Sequence, residues 1–98
     1  MDEWQIVLEE QIIGIAKLYS IEQPWFYCKF YPEQYYENVK YLFEEELKIL
    51  DSEDYDAWND YYDIITSKKL KLVNLLNGQT IEEMLVIHIQ SDIAWFRY

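Results

Sequence analysis

Histidine and cysteine are the side chains of this sequence best suited to catalysis or to holding a metal ion. His88 is the only histidine and Cys28 the only cysteine, so one chain cannot supply the paired histidine or cysteine ligands of a typical zinc site. We expect His88 to be a partly buried histidine with satisfied hydrogen bonds, and Cys28 to be a small buried hydrophobic residue. The sequence therefore predicts no metal site and no cofactor.

A serine nucleophile would need an exposed turn and an oxyanion hole. Ser20, Ser52, Ser67 and Ser91 are present, but none lies in the Gly-x-Ser-x-Gly turn that exposes a nucleophile. The chain has two glycines, which leaves little backbone for an oxyanion hole. Carboxylate pairs are too common among 19 acids to indicate a glycosidase. We therefore expect no catalytic residue, unless a deep pocket joins His88 to two carboxylates.

The negative charge of the chain is concentrated in its middle third. The formal net charge is −11, and residues 33–63 carry eleven acids and only two lysines. A field of this sign repels nucleic acids and anionic membranes, and it speeds the encounter with a basic protein. The acidic stretch 51–56 lacks the central glycine and the twelfth-position glutamate of a calcium loop. We predict a basic protein partner, with no direct contact to nucleic acid or membrane.

Aromatic and acidic side chains are interleaved over residues 53–63. Interface hot spots favour Tyr and Trp, and surrounding acids can steer a cationic partner. The candidate partner-binding residues are Glu53, Tyr55, Asp56, Asp60, Tyr61 and Asp63. In the alternative interpretation Trp58 and Tyr62 belong to the core and the acids form a solvated face, because amphipathic helices produce this pattern by default.

A single domain of residues 1–98 has to position these side chains, since a second core would find too little apolar surface. Alternating apolar residues predict three strands over residues 1–31, the last of them aromatic. Helical spacing predicts a helix from Pro32 to about Leu50, with Glu44 and Lys48 as an i,i+4 pair. A second helix is expected to begin at Ser52 as its N-cap.

Strands return in the last third of the chain, at about residues 70–75, 84–90 and 93–98. Asn77-Gly78 predicts a type I′ hairpin turn, and Ser91-Asp92 the turn of a final hairpin. The order is βββ-αα-βββ. We predict an α+β domain in which an antiparallel sheet of about six strands carries two amphipathic helices on one face.

The C-terminal sequence Ile-His-Ile at residues 87–89, followed after a short turn by Ala-Trp-Phe-Arg-Tyr at residues 94–98, resembles the ending of small uncharacterised bacterial proteins. The Pro-Trp pair at residues 24–25, which precedes an aromatic strand, is similar. The resemblance covers about a quarter of the chain. It implies a bacterial or phage-like source, and it carries no activity that could be transferred.

Two classes of function are consistent with these features. The first is a non-enzymatic acidic protein-binding module, either an immunity or antitoxin-like inhibitor or a nucleic-acid mimic, that covers a basic site on another protein. The alternative is a small structural domain that associates with itself, for example as a homodimer, and whose acidity only confers solubility. Because no signal peptide or membrane-spanning run is recognisable, we expect a cytoplasmic location.

Overall fold

The computed structural model describes residues 2–98, in which three strands, two helices and four strands follow one another. The elements are β1 (Glu3–Leu8), β2 (Gln11–Glu22), β3 (Trp25–Pro32), α1 (Tyr36–Asp51), α2 (Tyr55–Ser67), β4 (Lys71–Asn74), β5 (Thr80–Ile81), β6 (Val86–Gln90) and β7 (Ile93–Arg97). The seven strands form one sheet in the order β5-β4-β1-β2-β3-β7-β6, with every pair antiparallel. The predicted α+β class is confirmed.

The strand count differs from the prediction because of β5. This strand has two residues, which pair with Leu72 and Val73 of β4, and two residues are too few to show an alternating pattern. The predicted two-residue turn at Asn77-Gly78 is wrong in type, since residues 75–79 form a longer loop. Only Gly78 of the pair has a positive φ, at 77°. The side chain of Asn74 organises this loop by accepting from the backbone N–H groups of residues 76 and 77.

The sheet curls around its apolar face. The rings of Trp4 on β1 and Phe96 on β7 lie with centroids 5.0 Å apart, although β2 and β3 stand between their strands. Strands are spaced by about 4.8 Å, so a flat sheet would hold these residues roughly 14 Å apart. The concave side of the curl therefore encloses the core.

Gly14 allows β2 and β3 to approach closely inside this curl. A Cβ atom at Gly14 would lie 2.6 Å from Cζ of Phe30 and 2.8 Å from the carbonyl oxygen of Tyr31. Next to this glycine the register of β1 against β2 shifts between Ile6 and Val7, as at a β-bulge. Bulges increase the local bend of a strand, so this region contributes to the curl.

Helix α1 contacts β2, β6 and α2. Its buried residues recur at helical spacing and are Tyr36, Val39, Leu42, Phe43 and Glu46. The predicted start at Pro32 is wrong because β3 continues through that residue and the helix begins at Tyr36. The predicted end near Leu50 lies one residue from the observed end at Asp51. One member of the buried set, Glu46, is a carboxylate, which places a polar group among apolar ones.

The predicted N-cap of the second helix is also wrong. Asp54 caps α2, and its side chain accepts from the backbone N–H of Ala57 at 3.1 Å. Ser52 instead follows α1, where its hydroxyl donates to the carbonyl oxygen of Ile49 at 2.6 Å. Both residue types are good N-caps, and the two positions are two residues apart, so the length of the turn between the helices decides which of them caps.

Candidate functional site

The exposed side of α2 carries most of the residues that the sequence singled out. Asp56, Asp60 and Asp63 are exposed, and their i, i+4, i+7 spacing puts them on one side of the helix. Glu53 is exposed in the turn before α2, and Tyr55 is 59% exposed at its first residue. The structure thus leaves five of the six candidate residues accessible to a partner.

The sixth candidate residue, Tyr61, lies at the inner border of this surface. It is half-buried and packs against the core. Burial raises the pKa of its hydroxyl, and the nearby carboxylate of Glu45 on α1 raises it further. Tyr61 therefore lies where α1 and α2 meet, and it is less accessible to a partner than the other five.

Exposed acids are also present on α1 and in the turn between the helices, and together with those of α2 we call them the acidic helical surface. Its members are Glu37, Glu44, Glu45, Asp51, Glu53, Asp54, Asp56, Asp60 and Asp63. The only lysines between residues 36 and 67 are Lys40 and Lys48. Two exposed tyrosines, Tyr41 and Tyr55, supply aromatic area on the same helices.

The carboxylates of the acidic helical surface have no cationic partner. Along residues 2–98, salt bridges within 4.0 Å join Lys29 to Asp92, Lys68 to Glu9 and Lys69 to Glu10, and Nδ1 of His88 lies at hydrogen-bond distance from Glu46. The predicted pair of Glu44 with Lys48 does not form a salt bridge of this kind. None of these contacts involves the nine exposed acids, which outnumber Lys40 and Lys48 on the same helices, so the surface keeps a net negative field.

Trp58 and Tyr62 lie on the inner side of α2, where their rings stack with centroids 5.0 Å apart. Tyr62 is 6% exposed, and Trp58 is partly buried against the core. Tyr62 belongs to the core and Trp58 packs against it, as the alternative interpretation of the sequence expected for these two residues. The aromatic contribution to a partner contact would come from the exposed tyrosines instead.

The hydroxyl of Tyr62 binds the free edge of the sheet. It accepts from the backbone N–H of Ile87 at 2.8 Å and donates to the carbonyl oxygen of Leu85 at 3.2 Å. Strand β6 is the last strand on this side of the sheet, so the side chain takes the place of a neighbouring strand. Burial raises the pKa of Tyr62 well above its ordinary value, which keeps the phenol protonated and able to donate.

Glu46 joins both helices to the same strand. Its Oε1 and Oε2 lie 2.8 and 2.9 Å from Nδ1 of His88, and Oε2 accepts from Nε1 of Trp58 at 2.7 Å. Glu46 is fully buried and His88 is 4% exposed. Since both carboxyl oxygens face Nδ1 of His88, we assign the hydrogen of this contact to Nδ1.

Three tryptophans surround the imidazole of His88. Ring centroids of Trp25, Trp58 and Trp95 lie 5.5, 6.4 and 5.3 Å from it. Glu46 was not singled out from the sequence, where its only signal was an acid at a core-facing position of α1. His88 therefore meets one carboxylate rather than two.

We interpret the cluster of Glu46, His88 and Trp58 as a structural hydrogen-bond network rather than as a catalytic site. Its carboxylate is sealed from solvent, and its hydrogen bonds hold α1, α2 and β6 together. Over the described part of the chain, no three His, Cys, Asp or Glu side chains are grouped so as to hold a metal ion. The cluster can position the acidic helical surface relative to the sheet.

Known proteins offer no match that would assign a role to these features. Neither helix among residues 2–98 has the length and apolar character needed to cross a membrane. A scan of protein-family models gives no match to the chain, and searches of curated proteins and of solved structures give none either.

Proposed function

We propose that this protein is a non-enzymatic, cytoplasmic binding module whose acidic helical surface covers a basic site on another protein. The observation that carries this proposal is the set of nine exposed acids on α1, α2 and the turn between them, none of them engaged in an ion pair. Unneutralised charges of one sign raise the rate of encounter with a partner of the opposite sign.

Rigid support of α2 favours binding as well as encounter. Tyr62 and Trp58 connect this helix to β6 and to Glu46 through buried or partly buried hydrogen bonds. A preformed surface avoids most of the entropic cost of ordering side chains and loops on association. The exposed Tyr41 and Tyr55 add contact area of a kind that is enriched at interface hot spots.

The chemistry of the surface suggests the class of partner. A dense array of carboxylates is suited to Lys and Arg side chains, which proteins that bind nucleic acids present to phosphates. A basic enzyme or nucleic-acid-binding protein, inhibited when the acidic helical surface covers its functional site, is the partner that these residues fit. An immunity or antitoxin-like inhibitor would work in this way.

Affinity capture with three matched baits tests the proposal. The first bait is the wild type, and the second reverses charge on α2 through Asp56→Lys, Asp60→Lys and Asp63→Lys. The third reverses three exposed acids outside the helices through Glu22→Lys, Glu82→Lys and Glu83→Lys, which changes the net charge by the same amount. We expect the first and third baits to retain a basic protein that the second bait loses and that raised salt releases.

Equal recovery of the partner by all three baits would contradict this assignment of the surface. Equal loss from both variant baits would show that net charge matters rather than its position. A purified partner that binds the wild type must also lose its own activity in proportion to complex formation if the module is an inhibitor.

A further inference from the structure

The loop between β4 and β5 carries an asparagine followed by a glycine, Asn77-Gly78, and both residues are exposed. Gly78 has no Cβ atom, and even an added one would meet no atom within 4 Å. The backbone nitrogen that follows the Asn77 side chain is therefore not crowded by a neighbouring side chain. The proposed function makes no use of this loop, which lies outside both helices.

The side chain of Asn77 is folded back over its own backbone. Its Oδ1 accepts from the backbone N–H of Gln79 at 2.8 Å, which is the hydrogen bond of an Asx turn. This contact keeps the side-chain amide beside the peptide bond that joins residues 77 and 78. The same N–H can stabilise the negative charge that develops on Oδ1 when a nucleophile attacks Cγ. Groups held together in this way within one chain react much faster than the same groups in solution.

We infer that Asn77 is a site of spontaneous deamidation. The backbone nitrogen of Gly78 attacks Cγ of Asn77 and loses its hydrogen, while the side-chain nitrogen leaves as ammonia and a succinimide ring is formed. Water, the only co-reactant, then opens this ring. Breaking the bond from Cγ to the Gly78 nitrogen gives aspartate. Breaking the bond from the backbone carbonyl carbon to that nitrogen gives isoaspartate, in which the chain continues through Cβ and Cγ.

One hydrogen bond opposes this reaction in the folded loop. The backbone N–H of Gly78 donates to the carbonyl oxygen of Asn74 at 2.7 Å, and the nitrogen must leave this bond before it can attack. The loop adjoins β5, a strand of two residues that pairs with β4. Short exposed segments of this kind open at a low cost in free energy. The structure therefore slows the reaction relative to an unfolded chain without preventing it.

The three other asparagines of the chain lack this combination of features. Asn38 and Asn59 lie within α1 and α2, where helical hydrogen bonds restrain the backbone. Asn74 is only 7% exposed. Each of the three is followed by a residue with a side chain, which crowds the backbone nitrogen that would have to attack. Among the four asparagines, the structure thus favours reaction at Asn77.

The two products should change the loop differently. Aspartate adds one negative charge, and its carboxylate can still accept from the N–H of Gln79. Isoaspartate adds the same charge and also lengthens the backbone path by one methylene group. The hydrogen bonds of Asn74 hold the loop at residues 76, 77 and 78, and a longer path would displace them. We therefore expect isoaspartate, but not aspartate, to weaken the pairing of β5 with β4.

Peptide mapping of the full chain by mass spectrometry tests the inference. The folded protein is incubated at mildly alkaline pH, and isoaspartate is detected in samples by methylation with a protein isoaspartate methyltransferase. We expect conversion at Asn77 to be at least about tenfold faster than at Asn38, Asn59 or Asn74, because only Asn77 precedes a residue without a side chain. Release of ammonia should follow the same time course.

Two further measurements separate the roles of the loop and of Gly78. Incubation in guanidinium chloride should speed conversion at Asn77 at least about threefold, because unfolding releases the Gly78 nitrogen from Asn74. The variant Gly78→Asn adds a Cβ atom and keeps a residue type that tolerates positive φ. It should slow conversion at Asn77 at least about fivefold in the denaturant, where the result does not depend on folding.

Equal conversion at all four asparagines of the folded protein overturns the inference. So does an Asn77 that stays intact in the folded protein while the unfolded chain is converted, or a rate that Gly78→Asn leaves unchanged. Because the loop lies outside α1 and α2, conversion should not alter the capture of a basic partner. Failure of the inference and failure of the proposed function are therefore separate results.

Discussion

Nδ1 of His88 on β6 lies within 2.9 Å of both carboxylate oxygens of Glu46 on α1. Trp58 of α2 donates to the same carboxylate, so one buried acid holds the two helices against the edge of the sheet. A buried polar group is tolerated when hydrogen-bonding partners surround it. This contact therefore sets the orientation of the acidic helical surface.

Removal of the histidine should destabilise the protein strongly. The substitution His88→Leu leaves the buried Glu46 with Trp58 as its only side-chain donor, and breaking a buried pair in this way costs about 3 kcal/mol. Urea denaturation of the wild type and the variant measures the loss in free energy of unfolding. The double variant Glu46→Leu with His88→Leu should recover part of it, whereas strictly additive losses would show that the two side chains are not coupled.

The hydroxyl of Tyr62 should stabilise the edge strand. The substitution Tyr62→Phe removes the partner of the Ile87 N–H and of the Leu85 carbonyl, and leaving buried groups unpaired costs about 2 kcal/mol. Hydrogen exchange should accelerate at the Ile87 amide. The exposed Tyr55 provides the control, since Tyr55→Phe should change neither the free energy of unfolding nor the exchange rate of the Ile87 amide. An unchanged exchange rate in Tyr62→Phe would contradict the role of the Tyr62 hydroxyl at the edge strand.

A methyl group at Gly14 should disturb the approach of β2 to β3. The added Cβ in Gly14→Ala would overlap the ring of Phe30 and lie 2.8 Å from the carbonyl oxygen of Tyr31. Overpacking of this kind costs about 1–3 kcal/mol. Thermal unfolding of Gly14→Ala should show a Tm several degrees below that of the wild type, and an unchanged Tm would contradict the close approach of the two strands.

Cys28 should be unreactive in the folded protein and should make stability fall at high pH. Burial raises the pKa of its thiol from 9.0 to about 12, and the thiolate is the nucleophilic form. Since the folded pKa is the higher one, the stabilisation is complete below pH 9.0 and is lost as the pH rises towards 12. Alkylation of the Cys28 thiol at about pH 8 should require unfolding, because little thiolate is present below the raised pKa. The variant Cys28→Ala should lose less stability than the wild type as the pH rises. Rapid alkylation of the folded protein would contradict the burial of Cys28.

Much of the fold could be predicted from local patterns. The three N-terminal strands, the two helices and the final hairpin follow from alternation, helical spacing and turn residues, all of which act over a few neighbouring positions. The cap of α2 and the turn at Asn77-Gly78 were predicted wrongly. Ser52 and Asp54 are both good N-cap residues, and the length of the turn between the helices selects Asp54. In the same way, the distance between β4 and β5 requires a loop longer than the two-residue turn that Asn77-Gly78 favours.

The buried cluster could not be predicted in the same way. Glu46 and His88 are 42 positions apart, and only the placement of α1 beside β6 brings them together. The acidic helical surface, by contrast, was visible in the sequence because its charges lie within two consecutive helices. Tyr61 is the residue whose accessibility was overrated, since helical spacing does not show where a second helix covers the first.

The rate at which the captured partner associates with this protein, measured against ionic strength, tests the central claim most directly. For the wild type we expect the rate constant to fall at least about tenfold as salt is raised. The variant with Asp56→Lys, Asp60→Lys and Asp63→Lys should bind more slowly at low salt and show a flatter salt dependence. Equal rate constants and equal salt slopes for the two proteins would contradict the assignment of the acidic helical surface as the binding site.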